Sequence, residues 1–152
     1  MTRSTSSDAD PVRARFGRIW PAHLAGFTRL LVRLRAHFDG DLDLALVLAV
    51  VGERTRPDSW QARLESPDRL SVGHVARGRQ RPINTESIAD YSGIPRETVR
   101  RKLLALRARG WIDRDQRGYW YVTGRAAGDL EEATADSLDY LRTILDAARG
   151  AE

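Results

Sequence analysis

At 152 residues the chain is long enough for one domain with appended helices and a real core. It contains no cysteine, which excludes disulfides, thiolate metal sites and a cysteine nucleophile. Its formal charge is only +4, from 25 Lys+Arg against 21 Asp+Glu, so the distribution of charge says more than the total. All the basic residues but Lys102 are arginines, a bias that a GC-rich coding sequence also produces and that is therefore discounted as a sign of nucleic acid. No stretch is apolar enough to span a bilayer, and the start MTRSTSSDADP lacks the apolar centre of a secretion signal. The expectation is a soluble, cytoplasmic protein.

Residues 1–15 are polar and small, and a disordered tail is expected there. From Phe16 to Phe38, Trp20, Leu24, Phe27, Leu31, Leu34 and Phe38 step at 4, 3, 4, 3, 4, a heptad-like seam. The spacing predicts a helix, with Pro21 setting its start and Asp39-Gly40 ending it. Two readings of the seam stand open: packing on the chain's own core, or dimerisation. Asp41 to about Glu53 predicts a second helix, apolar almost all round and so central. Between Arg54 and Pro82 the prolines and glycines interrupt any pattern, and a short helix at Ser59–Leu64 is the expectation. Arg77, Arg79 and Arg81 at its end read either as a solvated loop or as a phosphate-contacting arm.

The stretch from Ile83 to Thr123 carries the clearest signals. Asn84 is a good N-cap, and Ile83 with Ile88 fits a hydrophobic staple. Glu86 suits the positive helix end, Ile88 and Tyr91 are spaced to share a face, and Ala89 leaves room for a crossing helix. Gly93 is placed to turn the chain sharply, with Ile94 plugging the turn. A second helix is predicted from about Pro95 to Gly110, with Val99, Leu103 and Leu106 as its buried stripe. From Gly93 to Gly110 six basic residues face one acid, Glu97. Two short strands, Trp111 to Asp115 and Tyr119 to Thr123, flank a hairpin tip at Gln116-Arg117-Gly118. Helix, tight turn, helix and hairpin make a winged helix-turn-helix, and an arginine-rich face opposite an apolar stripe suits a DNA major groove.

Gly124 to Gly128 reads as a break. Asp129 to about Ala148 predicts a last helix, with Leu130, Thr134, Leu138, Leu141, Leu145 and Ala148 on one stripe. From Asp129 onward seven acids face two bases. An acidic helix is repelled by DNA, so a place in a dimer interface, beside the basic first helix of the same or another copy, is expected. The expected organisation is a tail at residues 1–15, a winged domain with its N-terminal helix at residues 16–125, and a C-terminal dimerisation helix at residues 126–149. The fold class is mainly α with a small β-wing.

No chemistry of catalysis is visible. His23, His37 and His74 do not assemble with further ligands into a metal site, no carboxylate pair sits in an apolar setting, and no glycine-rich phosphate loop follows a strand. The expectation is a protein that is not an enzyme, with no metal and no cofactor.

The run Arg96-Glu97-Thr98-Val99-x-Arg101, after a helix ending at Gly93, resembles the DNA-binding domain of the cyclic-AMP receptor protein and FNR family, over roughly Ile83 to Val122. The resemblance implies that Arg96, Glu97 and Arg101 contact base edges and that Thr98 contacts a phosphate. The chain departs from that family in showing no pattern for a cyclic-nucleotide β-barrel ahead of the unit, and in placing Pro95 where Ser or Thr usually caps the helix. The flanking helices also resemble, in layout alone, the dimeric MarR regulators.

The expected function is a sequence-specific transcriptional regulator binding double-stranded DNA as a homodimer. Arg100, Lys102, Arg114 and Arg117 join Thr98 as expected phosphate contacts. Trp20, Leu24, Phe27, Leu31, Leu138, Leu141 and Leu145 are the expected dimer interface. Two alternatives remain open: a winged helix that meets an acidic protein, and a sensor with a small-molecule effector near Trp20, Phe27 and Trp60.

Overall fold

The computed structural model describes residues 10–56 and 83–150, and within them the chain is mainly helical with one small sheet. The elements are α1 (Pro11–Ala14), α2 (Phe16–His37), α3 (Leu42–Thr55), α4 (Thr85–Ser92), α5 (Arg96–Ala108), β1 (Ile112–Arg114), β2 (Trp120–Val122), α6 (Gly124–Asp129) and α7 (Glu131–Arg149). They fall into two compact units. One is drawn from Leu34–Thr134, the other from Met1–Arg33 with Ala135–Glu152. The expected helix at Ser59–Leu64, Trp60, and the arginine arm of Arg77, Arg79 and Arg81 lie outside the described residues.

The Leu34–Thr134 unit is a winged helix-turn-helix. Asp41 caps α3 by accepting from the Leu44 N–H at 2.9 Å. α3 then buries Leu44, Val47, Leu48, Val50 and Val51 and packs against α4, α5 and β2. Its last buried polar group, the Thr55 hydroxyl, donates to the Val51 carbonyl at 2.6 Å and so carries no unpaired penalty. α3 is central and covered on several sides as expected, while Leu42 and Leu46 remain exposed.

α4 forms as its local signals require. The Asn84 side chain accepts from the Ser87 N–H at 2.9 Å, and Ile83 and Ile88 are buried together in the core. Gly93 ends the helix at φ 72°, a conformation glycine takes without a Cβ clash, and Ile94 is buried below it. Tyr91 does not share the burial of Ile88. It sits at the edge of a narrow stripe and stays exposed, with the Arg54 guanidinium over its ring at 4.2 Å.

α5 turns Val99, Leu103 and Leu106 inward, with essentially no solvent exposure. It closes in a Schellman turn: the Gly110 N–H donates to the Arg107 carbonyl at 2.8 Å and the Trp111 N–H to the Leu106 carbonyl at 3.1 Å. The chain leaves directly into β1. β1 pairs antiparallel with β2 in the register Ile112↔Val122, Asp113↔Tyr121 and Arg114↔Trp120. Trp120 also donates from its backbone to the Ile83 carbonyl at 3.3 Å, tying the wing to the entry of α4.

The break expected at Gly124–Gly128 is instead α6. Two glycines disfavour a helix here, but Ala126 is buried in the core. The Thr123 hydroxyl anchors the entry by donating to the Gly110 carbonyl at 2.5 Å, and Asp129 anchors the exit by accepting from Trp111 Nε1 at 2.9 Å. Tertiary anchoring overrides propensity.

The second unit pairs two helices. The Arg33 guanidinium meets Asp136 at 2.5 Å and His23 Nδ1 lies 2.8 Å from the Tyr140 hydroxyl, so α2 and α7 run antiparallel. Gly26 permits this approach: a Cβ there would meet the Tyr140 ring at 2.9 Å. Two expectations are corrected. The tail does not extend to residue 15, because Asp10 caps the short helix α1 through the Val12 N–H. Pro21 does not start α2 but lies inside it, five residues beyond Phe16. The carbonyl its ring crowds belongs to Gly17, which brings no side chain of its own.

The heptad seam of α2 divides. Leu34 packs against the winged core and Phe38 is buried in it, edge-on to Trp111. Trp20, Leu24, Phe27 and Leu31 are exposed. The stripe predicted for the last helix divides likewise: Leu130 falls just before α7 and packs on the winged core, while Leu138, Leu141 and Leu145 on α7 are exposed.

Candidate nucleic-acid interface

Because Val99, Leu103 and Leu106 fix the inward face of α5, geometry fixes what faces out. At about 100° per residue, Glu97, Arg101, Leu104 and Ala108 share the opposite face, with Arg96, Arg100 and Arg107 along one flank. Arg96, Glu97, Arg100 and Arg101 are all exposed, and Thr98 is half-buried beside them. The structure thus brings the expected base-contacting residues to one surface.

Their mutual contacts differ from the i,i+4 pair that Glu97 and Arg101 suggest. Glu97 is instead gripped by Arg100 in a two-pronged contact, Nε to Oε2 at 2.9 Å and Nη2 to Oε1 at 2.7 Å. The Arg100 hydrogen bond holds the Glu97 carboxyl below the usual range, and Glu97 raises Arg100 in return. Arg101 reaches back only to the Thr98 hydroxyl at 3.5 Å, the limit of a hydrogen bond.

Three of the six basic side chains between Gly93 and Gly110 are engaged by acids elsewhere in the winged unit. Lys102 is bound to Asp41 at the start of α3, and its side chain is 23% exposed. In the chain without DNA, Lys102 thus fastens α5 to α3. Arg107 meets Asp113 at 3.3 Å. Arg109 meets Asp39 at 2.8 Å and lies over the Trp111 ring. Arg96 and Arg101 have no ion pair among the described residues. These acids were the part sequence reasoning missed; only Asp41 left a local trace, as an N-cap ahead of an apolar run.

On the wing, Arg114 is exposed, with its guanidinium stacked over Trp120 at 4.2 Å. Arg117 is exposed at the tip. The tip is shaped by Asp115 Oδ1, which accepts from the Arg117 and Tyr119 N–H groups at 2.9 Å each.

In the α2–α7 unit, Trp20, Leu24, Phe27, Leu31, Leu138, Leu141 and Leu145 are each between 37% and 53% exposed. A cleft of about 60 Å³ lies between these helices, lined by Gly26, Arg29, Arg33, Asp136, Tyr140 and Thr143 among others. It holds roughly two waters. Neither Trp20 nor Phe27 lines it, so the aromatic effector pocket expected there does not form in this cleft. No three His, Asp or Glu side chains converge as metal ligands among the described residues, and no described helix is long and apolar enough to cross a membrane.

Residues 63–127 match the family model of the Crp-like helix-turn-helix domain. The match takes in α4, α5, both wing strands and the start of α6, which is the surface just described. It supports a DNA-binding transcription regulator built on a winged helix-turn-helix. Comparison with curated proteins and with solved structures gives no match.

The Lys102–Asp41 tie has a pH signature. Burial alone would raise the Asp41 carboxyl, but hydrogen bonds from Lys102 and the Leu44 N–H, with the Lys102 charge, outweigh it and hold the group below its ordinary value. The stabilisation is therefore fully present above the unfolded value, about 3.9, and is lost as pH falls through the folded one. Asp41→Asn keeps a capping oxygen and removes the charge. Thermal melts should show it less stable than the parent by about 0.5–1 kcal/mol at pH 7, with the gap closing as pH falls below about 3.9.

Proposed function

We propose that the chain is a sequence-specific transcription regulator that binds a pseudo-palindromic DNA site as a homodimer. The observation that carries DNA reading is the exposed surface of α5 within the Crp-like match, where Glu97 and Arg101 stand opposite a fully buried stripe and Arg96 is exposed on the adjoining flank. Arginine pairs with guanine N7 and O6, and a carboxylate accepts from cytosine N4. Arg96 and Arg101 take the first role and Glu97 the second. Thr98, Arg100, Arg114 and Arg117 take the phosphates.

The dimer reading rests on the α2–α7 pair. Its facing surfaces bury little: Ile19 and Gly26 are the buried residues of α2. Meanwhile nine large apolar side chains along the two helices stay open. A second copy suits this surface by charge. α2 carries Arg18, Arg29, Arg33 and Arg35 and no acid, whereas α7 carries five acids against Arg142 and Arg149. A two-fold bundle sets each basic helix against the partner's acidic one.

Selection of genomic fragments by the purified protein at near-physiological salt tests the function. The expected product is an inverted repeat with half-sites about ten base pairs apart; fragments retained without any enriched sequence would refute specific reading. On the selected site Arg101→Ala should cost roughly 1–3 kcal/mol and relax preference at one base pair. Arg117→Ala should weaken all sequences alike and lower the salt slope by about one unit. Equal losses on every sequence for both variants would remove the base-reading role of Arg101.

The interface is tested by Leu24→Asp combined with Leu141→Asp. Sedimentation should show a folded monomer whose affinity for the full repeat drops by roughly a hundredfold while single half-site affinity holds. A parent protein that sediments as a monomer at every concentration would refute the dimer.

A further inference from the structure

Leu104 is out of place on the surface it occupies. It is 48% exposed on α5, in a helix whose other large apolar side chains, Val99, Leu103 and Leu106, are buried. It belongs to the outward face, three residues after Arg101 and seven after Glu97. Its nearest helical neighbours on that side are Arg100, Arg101, Arg107 and Ala108, all exposed. An apolar side chain ringed by arginines is poorly suited to an apolar protein partner. The same ring suits a polyanion that brings one apolar group to the centre of the face.

We propose that Leu104 reads the C5-methyl group of a thymine in each half-site. This rests on the DNA-reading function above and extends it to a base that no charged side chain of the helix can select. Among the groups on the floor of the major groove, the thymine methyl is the apolar one. Leu104 lies about 10 Å along the helix axis beyond Glu97 and about 4.5 Å beyond Arg101. Leucine offers no hydrogen bond. Against a cytosine or adenine edge it would desolvate polar atoms without replacing their partners, so it selects against those bases as well as for the methyl. Ala105 and Ala108 are small and exposed, which leaves Leu104 the most protruding apolar group of the C-terminal half of the face.

The test replaces thymine by deoxyuridine, one position at a time, in the site obtained by selection, and compares the parent protein with Leu104→Ala. Deoxyuridine removes the methyl and leaves the pairing edge intact. At one thymine per half-site the parent should lose about fourfold in affinity, the worth of one buried methyl group. Leu104→Ala should bind the thymine and deoxyuridine sites equally. Because Leu104 is exposed, the variant should melt at the parent's temperature, which separates lost contact from lost fold.

Deoxyuridine tolerated at every position by the parent overturns the proposal, and so does a sensitivity that Leu104→Ala retains. Methyl dependence found at 5-methylcytosine and not at thymine overturns the thymine assignment. If selection enriches no sequence, the DNA-reading function fails and this proposal falls with it. An enriched site without a deoxyuridine effect removes this proposal alone.

Discussion

Three side chains without solvent contact decide how this molecule meets its surroundings. Val99, Leu103 and Leu106 are held against α3 and α4, with Ile88 fully buried in the same cluster. A helix has only one such face to give away, so burying it sets the orientation of the whole recognition surface. A change that rotates α5 by a single residue would turn Arg101 through about 100°. Truncating one of the three would leave a cavity at the place where the orientation is set, costing about 2–5 kcal/mol for a leucine. Both ends of α5 reinforce the setting, through Gly93 before it and the Gly110 turn after it.

Charge on α5 is then sorted by position. Six basic residues suggest a uniform field, but the fold assigns Lys102, Arg107 and Arg109 to Asp41, Asp113 and Asp39. What remains outward is a pair of arginines and one acid already gripped by Arg100. The engaged residues hold the helix to its scaffold, and Arg96 and Arg101 are left without an ion pair among the described residues. The wing repeats the division on a smaller scale, with Trp120 supporting Arg114 from below while Arg117 stands clear at the tip.

The helix-turn-helix was legible because its determinants are local. Asn84, Gly93, Gly110 and the stripe of α5 each act within a few residues, and sequence order is enough to recognise them. The ion pairs were not, since Lys102 and Arg109 find partners 61 and 70 residues away. The seam of α2 shows a different limit. Its period identified a helix but not what each turn would meet, and Leu34 and Phe38 joined the winged core while Trp20 to Leu31 stayed open. The glycines at Gly124 and Gly128 misled for the opposite reason. They weaken a helix by propensity, and burial of Ala126 together with the anchors at Thr123 and Asp129 outweighs that weakness. Of the expected site, Glu97 and Arg101 fell on one face with Arg96 exposed on its flank, because helical spacing is regular. The pairing of Lys102 with Asp41 was not legible, because the acid lies far from it in sequence.

Asp39 sits at φ 54°, the one residue other than glycine with a positive φ among those described. That backbone costs a non-glycine residue roughly 1 kcal/mol. In return Asp39 supplies the carboxylate that Arg109 grips, a contact whose acid side is 78% exposed and which is therefore worth about the same or less. The two nearly cancel in dilute buffer, but they do not respond alike to ionic strength. Added salt screens the ion pair and leaves the backbone strain untouched. The corner between α2 and α3 is thus held partly by charge when salt is low. In concentrated brine that contribution fades, while the backbone hydrogen bonds from Asp39 to the Ala36 carbonyl and from Gly40 to that of Arg35 and the buried Phe38 remain.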